Sequence, residues 1–324
     1  MTTQESDRAG PSEHRPLPGE LMAPDGDLLI RPATPDDSRS CHRLLWESVT
    51  DLGSQRGTPL QGTADEWWRS MAPIHAQLAH TAAEWWVAED SDSHELVGYA
   101  RSIERGGLFE LTECFVQPGR QSRGLGRALI ERAFPTGRGE VRSIIATTDV
   151  RALNRYYAAG TVARFPILTL AGAPRDIGPT TRLTPLVLGG DSAPVVAAGD
   201  VERKVLGYDR GSSEFEWLIG QREGYLYRSG DQVAGFAFVS DSGVGPIAVL
   251  DPADLPDVLL HLETRALLMG LDRLEFEVPA PNEVAVRHLL GRGFRLDPWI
   301  NLLMSNRPFG QFDRFIGFGP PLFL

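Results

Sequence analysis

Apolar and polar positions along the chain follow two rhythms, one of period two and one near 3.6. Residues 28–31 (Leu-Leu-Ile-Arg) read as a first strand. From Thr34, helix-start residues lead into Leu44, Leu45 and Val49 at helical spacing. Residues 53–63, rich in Gly, Gln and Thr, read as a loop, and residues 65–79 as a second helix. Residues 85–88 and 96–100 read as antiparallel strands around a turn at 90–94. Residues 109–116 are then a strand ended by Pro118, 124–133 a helix, 143–147 a strand, 150–159 a helix, and 162–170 β-rich. Residues 171–200 are rich in Gly, Pro, Ala, Thr and Asp, and 189–200 is the expected linker.

The second half repeats this order. Residues 224–228 and 233–239 read as a hairpin, 244–250 as a strand, 256–269 as a helix and 273–278 as a strand. A helix over 282–290 and a β-rich stretch over 295–305 follow. Val116 and Val249 stand 133 positions apart, as do Ala152 and Ala285, and Gly160 and Gly293. Such self-similarity predicts one supersecondary plan used twice. The competing reading is two unrelated α/β domains that share a hydrophobic rhythm.

A length of 324 residues also fits two domains. The expected division is a disordered polar tail over 1–26, a first domain over 27–188, the linker over 189–200 and a second domain over 201–324. The formal net charge of -11 argues against nucleic acid or an anionic membrane as main partner and mildly favours a cationic substrate such as an amine, although a soluble face with no partner is the commoner reason for such a charge. The two cysteines, Cys41 and Cys114, build neither a disulfide framework nor a metal site, and the scattered histidines show no ligand spacing. No apolar run approaches the ~20 residues of a membrane helix. A cytoplasmic protein without a metal is therefore expected.

The sharpest motif runs from Val116 to Leu129, where a strand enters a turn and then a helix opening with Gly124, Leu125 and Gly126. The free amides of a helix N-terminus form an anion site. Gly124 and Gly126 let a bulky anion approach the backbone, and Arg120, Arg123 and Arg127 add positive charge. A Walker loop is excluded because no Gly-Lys-Ser/Thr follows the glycines, and a dinucleotide fingerprint because Leu129 replaces its third glycine.

Gln121-x-x-Gly124-x-Gly126 after Val116-x-Pro118 resembles the acetyl-CoA signature of the GCN5-related N-acetyltransferases. The resemblance covers about residues 28–170. It implies an α/β fold with a central, mostly antiparallel mixed sheet flanked by helices. Read with the repeat, it implies two tandem acyl-CoA N-acyltransferase-like domains. It further implies acetyl-CoA as cosubstrate, its diphosphate on the amides of Gln121, Ser122, Arg123, Gly124, Leu125 and Gly126, and its pantetheine arm along Phe115 and Val116. A second family element, Asn-x-x-Ala-x-x-x-Tyr-x-x-x-Gly-Phe, is matched at Ala152, Tyr156 and Gly160, with Asp149 and Thr161 as departures. In the family that tyrosine protonates the leaving thiolate, a role suited to a phenol within reach. The bland alternative is an aromatic packed on the sheet.

The implied reaction is attack of a neutral amine on the thioester, which calls for a base. Glu110 and Glu113 lie on the signature strand, on opposite faces by strand alternation, and either is a candidate. Trp67, Trp68, Glu47, Asp51 and Glu66 stand where family members choose their acceptor, and the competing reading makes them core caps and solvated acids. In the second half Leu289 replaces the tyrosine, and Leu250–Asp257 has no glycine pair and three aspartates. That copy is expected to be degenerate. The expected partner is a small-molecule amine, and the resemblance also allows a homodimer. The alternative function is a non-catalytic acyl-CoA-binding, regulatory or interaction module.

Overall fold

The computed structural model describes residues 21–22, 27–121, 124–175, 181–208, 210–241 and 243–319. The expected tail therefore lies outside the described residues, apart from the short strand β1 (Leu21–Met22). The first half continues with β2 (Leu28–Pro32), α1 (Ser38–Gln55), α2 (Ala64–Thr81), β3 (Ala82–Asp90), β4 (Leu96–Arg105) and β5 (Leu108–Val116). Then come α3 (Leu125–Ala133), β6 (Val141–Thr147), α4 (Val150–Ala158) and β7 (Val162–Gly172). The second half opens with β8 (Thr184–Val187), α5 (Ser192–Leu206), α6 (Gly211–Gln221), β9 (Glu223–Ser229), β10 (Gln232–Ser240) and β11 (Gly243–Val249). It ends with α7 (Leu255–Leu268), β12 (Leu274–Pro279), α8 (Glu283–Arg292), β13 (Arg295–Ser305) and β14 (Phe315–Ile316). From β2 to β7 and from β8 to β13 the order of elements is the same.

The repeat therefore begins earlier than its composition suggested. The stretch 189–200 is not a linker: α5 starts inside it, with the Asp191 side chain accepting from Ala193 N. Pro194 hid this helix. It sits in the first turn, where backbone N–H groups have no intrahelical partner to lose. Gly199 is equally compatible, because its bare face lies against the Phe215 ring. The loop expected over 53–63 also gives way at its start, since α1 runs on to Gln55.

The two halves do not close separately. One nine-stranded sheet has the order β1-β2-β3-β4-β5-β6-β13-β7-β12. Each half lends its last strand to the other: β13 inserts between β6 and β7, and β7 lies between β13 and β12. Hydrophobic cores form on both faces. Leu125, Leu129 and Ile130 of α3 recur at helical spacing and bury against Val97, Leu111 and Ile144, together with Tyr156 of α4. On the other face Cys41 and Leu44 of α1 meet Val87 and Tyr99. A further core joins the halves, packing Leu108 and Ile167 with Val205, Phe215, Phe236 and Leu303. The second sheet has the order β14-β11-β10-β9-β8. Among the described residues, no helix is long and apolar enough to cross a membrane.

Candidate active site

Strands β5 and β6 pair in parallel only from Leu108 to Leu111, against Val141 to Ile144. Beyond Leu111 they diverge. Cys114, Phe115 and Val116 therefore present an unpaired backbone edge to a cavity of about 870 Å³. An extended polar chain can pair with that edge as an added strand does. At one end of the cleft α3 begins. Gly124 caps it with φ 88°, and among the described residues, its chain neighbours apart, no atom lies within 4 Å of where a Cβ would stand. Gln121 lines the cavity and donates from Nε2 to Val116 O at 3.2 Å. Ser122 and Arg123 lie outside the described residues. Leu125 is buried and packs as core rather than towards a ligand. Arg127 points away: its side chain is 80% exposed and pairs with Glu131 at 2.7 Å. Arg120 is likewise engaged, with Asp90 at 2.7 Å.

A cation that the motif reading missed stands beside this helix end. The Arg155 guanidinium of α4 lies over Gly126, where a Cβ would sit 2.9 Å from its Nη1. Arg155 lines the cavity, so glycine, arginine and free helix amides converge on one place suited to an anion. Its signal was its position one residue before Tyr156 on a helix facing the cleft.

Tyr156 also lines the cavity, beside Cys114. Burial pushes its phenol well above the ordinary value, with the Cys114 thiol adding to the effect. Its hydroxyl therefore stays protonated, and among the described residues no protein group hydrogen-bonds it. Asp149, the departure from the family's Asn, caps α4 by accepting from Arg151 N at 2.9 Å and pairs with the Arg151 side chain. Burial pushes the Cys114 thiol up to about 12, which leaves it a poor nucleophile.

The two candidate bases part company. Glu113 reaches the cavity wall, but its carboxylate is ion-paired with fully buried Arg101, whose Nε donates to it at 2.7 Å. The Tyr99 hydroxyl donates to its other oxygen at 3.1 Å. Arg101 Nη2 also donates to His75 Nδ1 at 3.3 Å, and His75 Nε2 and His42 Nδ1 are 3.0 Å apart. His42 Nε2 must donate to the Ala64 carbonyl, 3.0 Å away, so both rings are neutral and each proton has one destination. Burial lowers His42 and brings His75 down to about 4, in keeping with neutral rings. Glu113 is the anchor of this buried chain rather than a free base. Against strand alternation, Glu110 lies on the same face as Glu113, because the register shift that pairs Arg101 with Glu113 and Ser102 with Leu111 leaves Ile103 opposite Glu110, farther along β5 from the cleft. It is wholly buried near Arg105, Glu214 and Arg210, where the two halves meet.

The acceptor-side residues also divide. Asp51 and Trp67 line the cavity. Trp68 instead stacks on His75, with ring centroids 5.6 Å apart, Glu66 closes a capping box with Thr63, and Glu47 faces Arg43. The remaining wall comes from the second half, through Glu275, Glu277, Asp297, Trp299 and Asn301. Sequence reasoning missed these because they reach the site only through the strand exchange.

The second copy has no such opening. β14 pairs with β11 at Ile247–Ile316 and Ala248–Phe315, and Gly317 bridges to Glu277 of β12. The chain's own segment thus lies between β11 and β12. Asn282 holds it there, donating from Nδ2 to Phe315 O at 3.1 Å. Leu289, at the tyrosine's place, is core, and Asp257 near the start of α7 is taken by Arg182.

A parallel strand pair splayed open beside a glycine-started helix, with a free tyrosine in the wall, defines an acyl-CoA acyltransferase architecture. The acetyltransferase (GNAT) domain family matches residues 81–160. The fold is shared with an acetyltransferase-like protein of Pyrococcus horikoshii, at 15% identity and a TM-score of 0.69, covering 89% of this chain and 93% of that one. A GCN5-related N-acetyltransferase from Sphaerobacter thermophilus aligns at 16% identity and a TM-score of 0.56, covering 87% and 96%. A tandem GNAT protein from the clavulanic acid biosynthesis pathway aligns at 16% and 0.55, covering 87% and 99%. No curated protein sequence matches the chain. The chain thus carries a GNAT-domain match over residues 81–160 and shares the fold of these proteins over most of its length.

Proposed function

We propose that this protein is an acetyl-CoA-dependent N-acetyltransferase acting on a primary amine of a small molecule, with one catalytic site, in its first half. The observation that supports it best is the free phenol of Tyr156 in the wall of a cleft whose other wall is the unpaired edge Cys114–Val116.

Acetyl-CoA, when bound, supplies an activated acyl thioester. The open edge of Phe115 and Val116 fits an extended pantetheine arm, and the start of α3 with Gly124, Gly126 and Arg155 fits a diphosphate. These residues orient the thioester at the divergence of β5 and β6. Tyr156 holds a proton for the departing sulfur. Glu113, fixed by Arg101 and Tyr99, shapes the acceptor wall. The amine's proton leaves through water in the cavity. A cytoplasmic location and a reaction that needs no metal go with this reading.

The test is amine-dependent release of free thiol from acetyl-CoA across a panel of primary amines. Release that requires both protein and amine supports the reading. A folded sample that releases no thiol with any amine contradicts it.

A further inference from the structure

The cleft is electrically polarised. At the α3 end stands Arg155. Three of the acids around the cavity have an arginine partner: Glu113 with Arg101, Asp149 with Arg151, and Glu275 with Arg273. At the end built by the second half, Glu277 and Asp297 have no cationic partner among the described residues. Asp297 accepts only from Trp299 N, at 2.9 Å, and Glu277 only from the Thr169 hydroxyl, at 3.3 Å. Both are half-buried in the cavity wall, where a carboxylate without a cationic partner is unfavourable and a cationic ligand would offset the cost.

A second, independent feature points the same way. Asn301 of β13 is only 2% exposed, yet its side-chain amide has no protein partner among the described residues and lines the cavity. Buried amides are normally hydrogen-bonded. Asn301 lies directly across from Thr147 of β6, and Thr169 lies across from Glu277. Thr147, Asn301, Thr169 and Glu277 thus form a polar floor that crosses from β6 through β13 and β7 to β12. At about 4.8 Å per strand, this floor carries Glu277 about 14 Å from β6. The distance is too great for Glu277 to touch an amine attacking at the cleft, but suits a second group on the same molecule.

We propose that the acceptor is a dication, with its reacting amine at the divergence of β5 and β6 and a second ammonium or guanidinium group held by Glu277, Asp297 and Asn301 of the second half. This rests on the acetyl-transfer reading for the first amine and assigns the second half its role, that of the far wall of the acceptor site. Burial, then repulsion from Glu275, pushes the Glu277 carboxyl up to about 7, with Asp297 adding to it and the Thr169 hydroxyl opposing. A cation seated there relieves that strain and draws the proton off.

The experiment is calorimetric binding of diaminooctane and of octylamine to the full chain in the presence of coenzyme A. The two probes share a length and differ only in the second charge. The expected result is tighter binding of the diamine by about tenfold or more, a preference that grows from about pH 6 to about pH 8 as Glu277 ionises. Glu277→Gln should shrink the preference to less than about threefold, the loss of one charge contact, while coenzyme A affinity and the melting temperature hold. Equal binding of the two probes overturns the proposal, as does a preference that survives Glu277→Gln. If octylamine is acetylated and no preference appears, only the dication subsite falls. If the preference appears and no amine is acetylated, the subsite stands and the enzyme reading falls.

Discussion

Ala248 of β11 is paired with Phe315 of β14, so the second copy fills with its own chain the place where the first copy leaves its central strand unpaired. The asymmetry explains why one fold repeated twice offers one cleft. Phe315 is fully buried and holds the segment down. Phe315→Ala should lower the unfolding free energy by about 3–5 kcal/mol, as deletion of a buried aromatic does. Chemical denaturation of the full chain checks this. A loss below about 1 kcal/mol would mean that the segment is only loosely seated.

Tyr156→Phe removes one hydroxyl and keeps the ring in its core. The expected outcome is a fall in kcat of about 100-fold or more, the range for loss of a positioned acid. Acetyl-CoA affinity should hold. Steady-state kinetics with a binding titration separate the two effects. An unchanged kcat across pH would remove the phenol from the chemistry.

Glu110 is buried with neither carboxyl oxygen hydrogen-bonded. Burial, partly offset by Arg105 and Arg210, pushes it up to about 8. An unfolded carboxyl titrates near 4.3. Between these values the folded state holds the extra proton, so stability from this group is present at low pH and is lost as pH rises towards 8. Glu110→Gln copies the neutral form. It should be the more stable protein at pH 8, by more than about 1 kcal/mol, and should match the parent near pH 4. Denaturation at the two pH values tests this.

The exchange of β7 and β13 predicts that neither half folds alone. A chain ending at residue 188 exposes both edges of β7 and one edge of β6, a template for aggregation. It should lack a cooperative melt, and co-expression with residues 181–324 should restore a soluble complex. A monomeric first half with a sharp transition would contradict the shared sheet.

Much of this was legible in the sequence because its signals are local. The strand into Val116, the helix from Leu125 and the spacing of Ala152, Tyr156 and Gly160 fold as their patterns direct. The 133-residue offset pairs structurally equivalent positions: Val116 and Val249 both end their strands. Helix α5 was hidden because Pro194 and Gly199 read as loop residues until their first-turn and ring-packing places are seen. That Glu110 and Glu113 share a face, with only Glu113 reaching the cleft, depended on the irregular pairing of β4 and β5, where the register shifts between Arg101 and Ser102. Glu277 and Asn301 were out of reach altogether. They join the site through strands exchanged between halves, a long-range contact that no periodicity encodes.

The central claim is that the first half alone holds the acyl donor. Calorimetric titration of the full chain with acetyl-CoA, repeated on Gly124→Glu, tests it most directly. The account predicts one site per chain in the parent and none in the variant, which should still melt cooperatively but at a somewhat lower temperature, because the new carboxylate stands in open space while φ 88° disfavours any side chain there. Two sites in the parent, or undiminished binding by the variant, would contradict it.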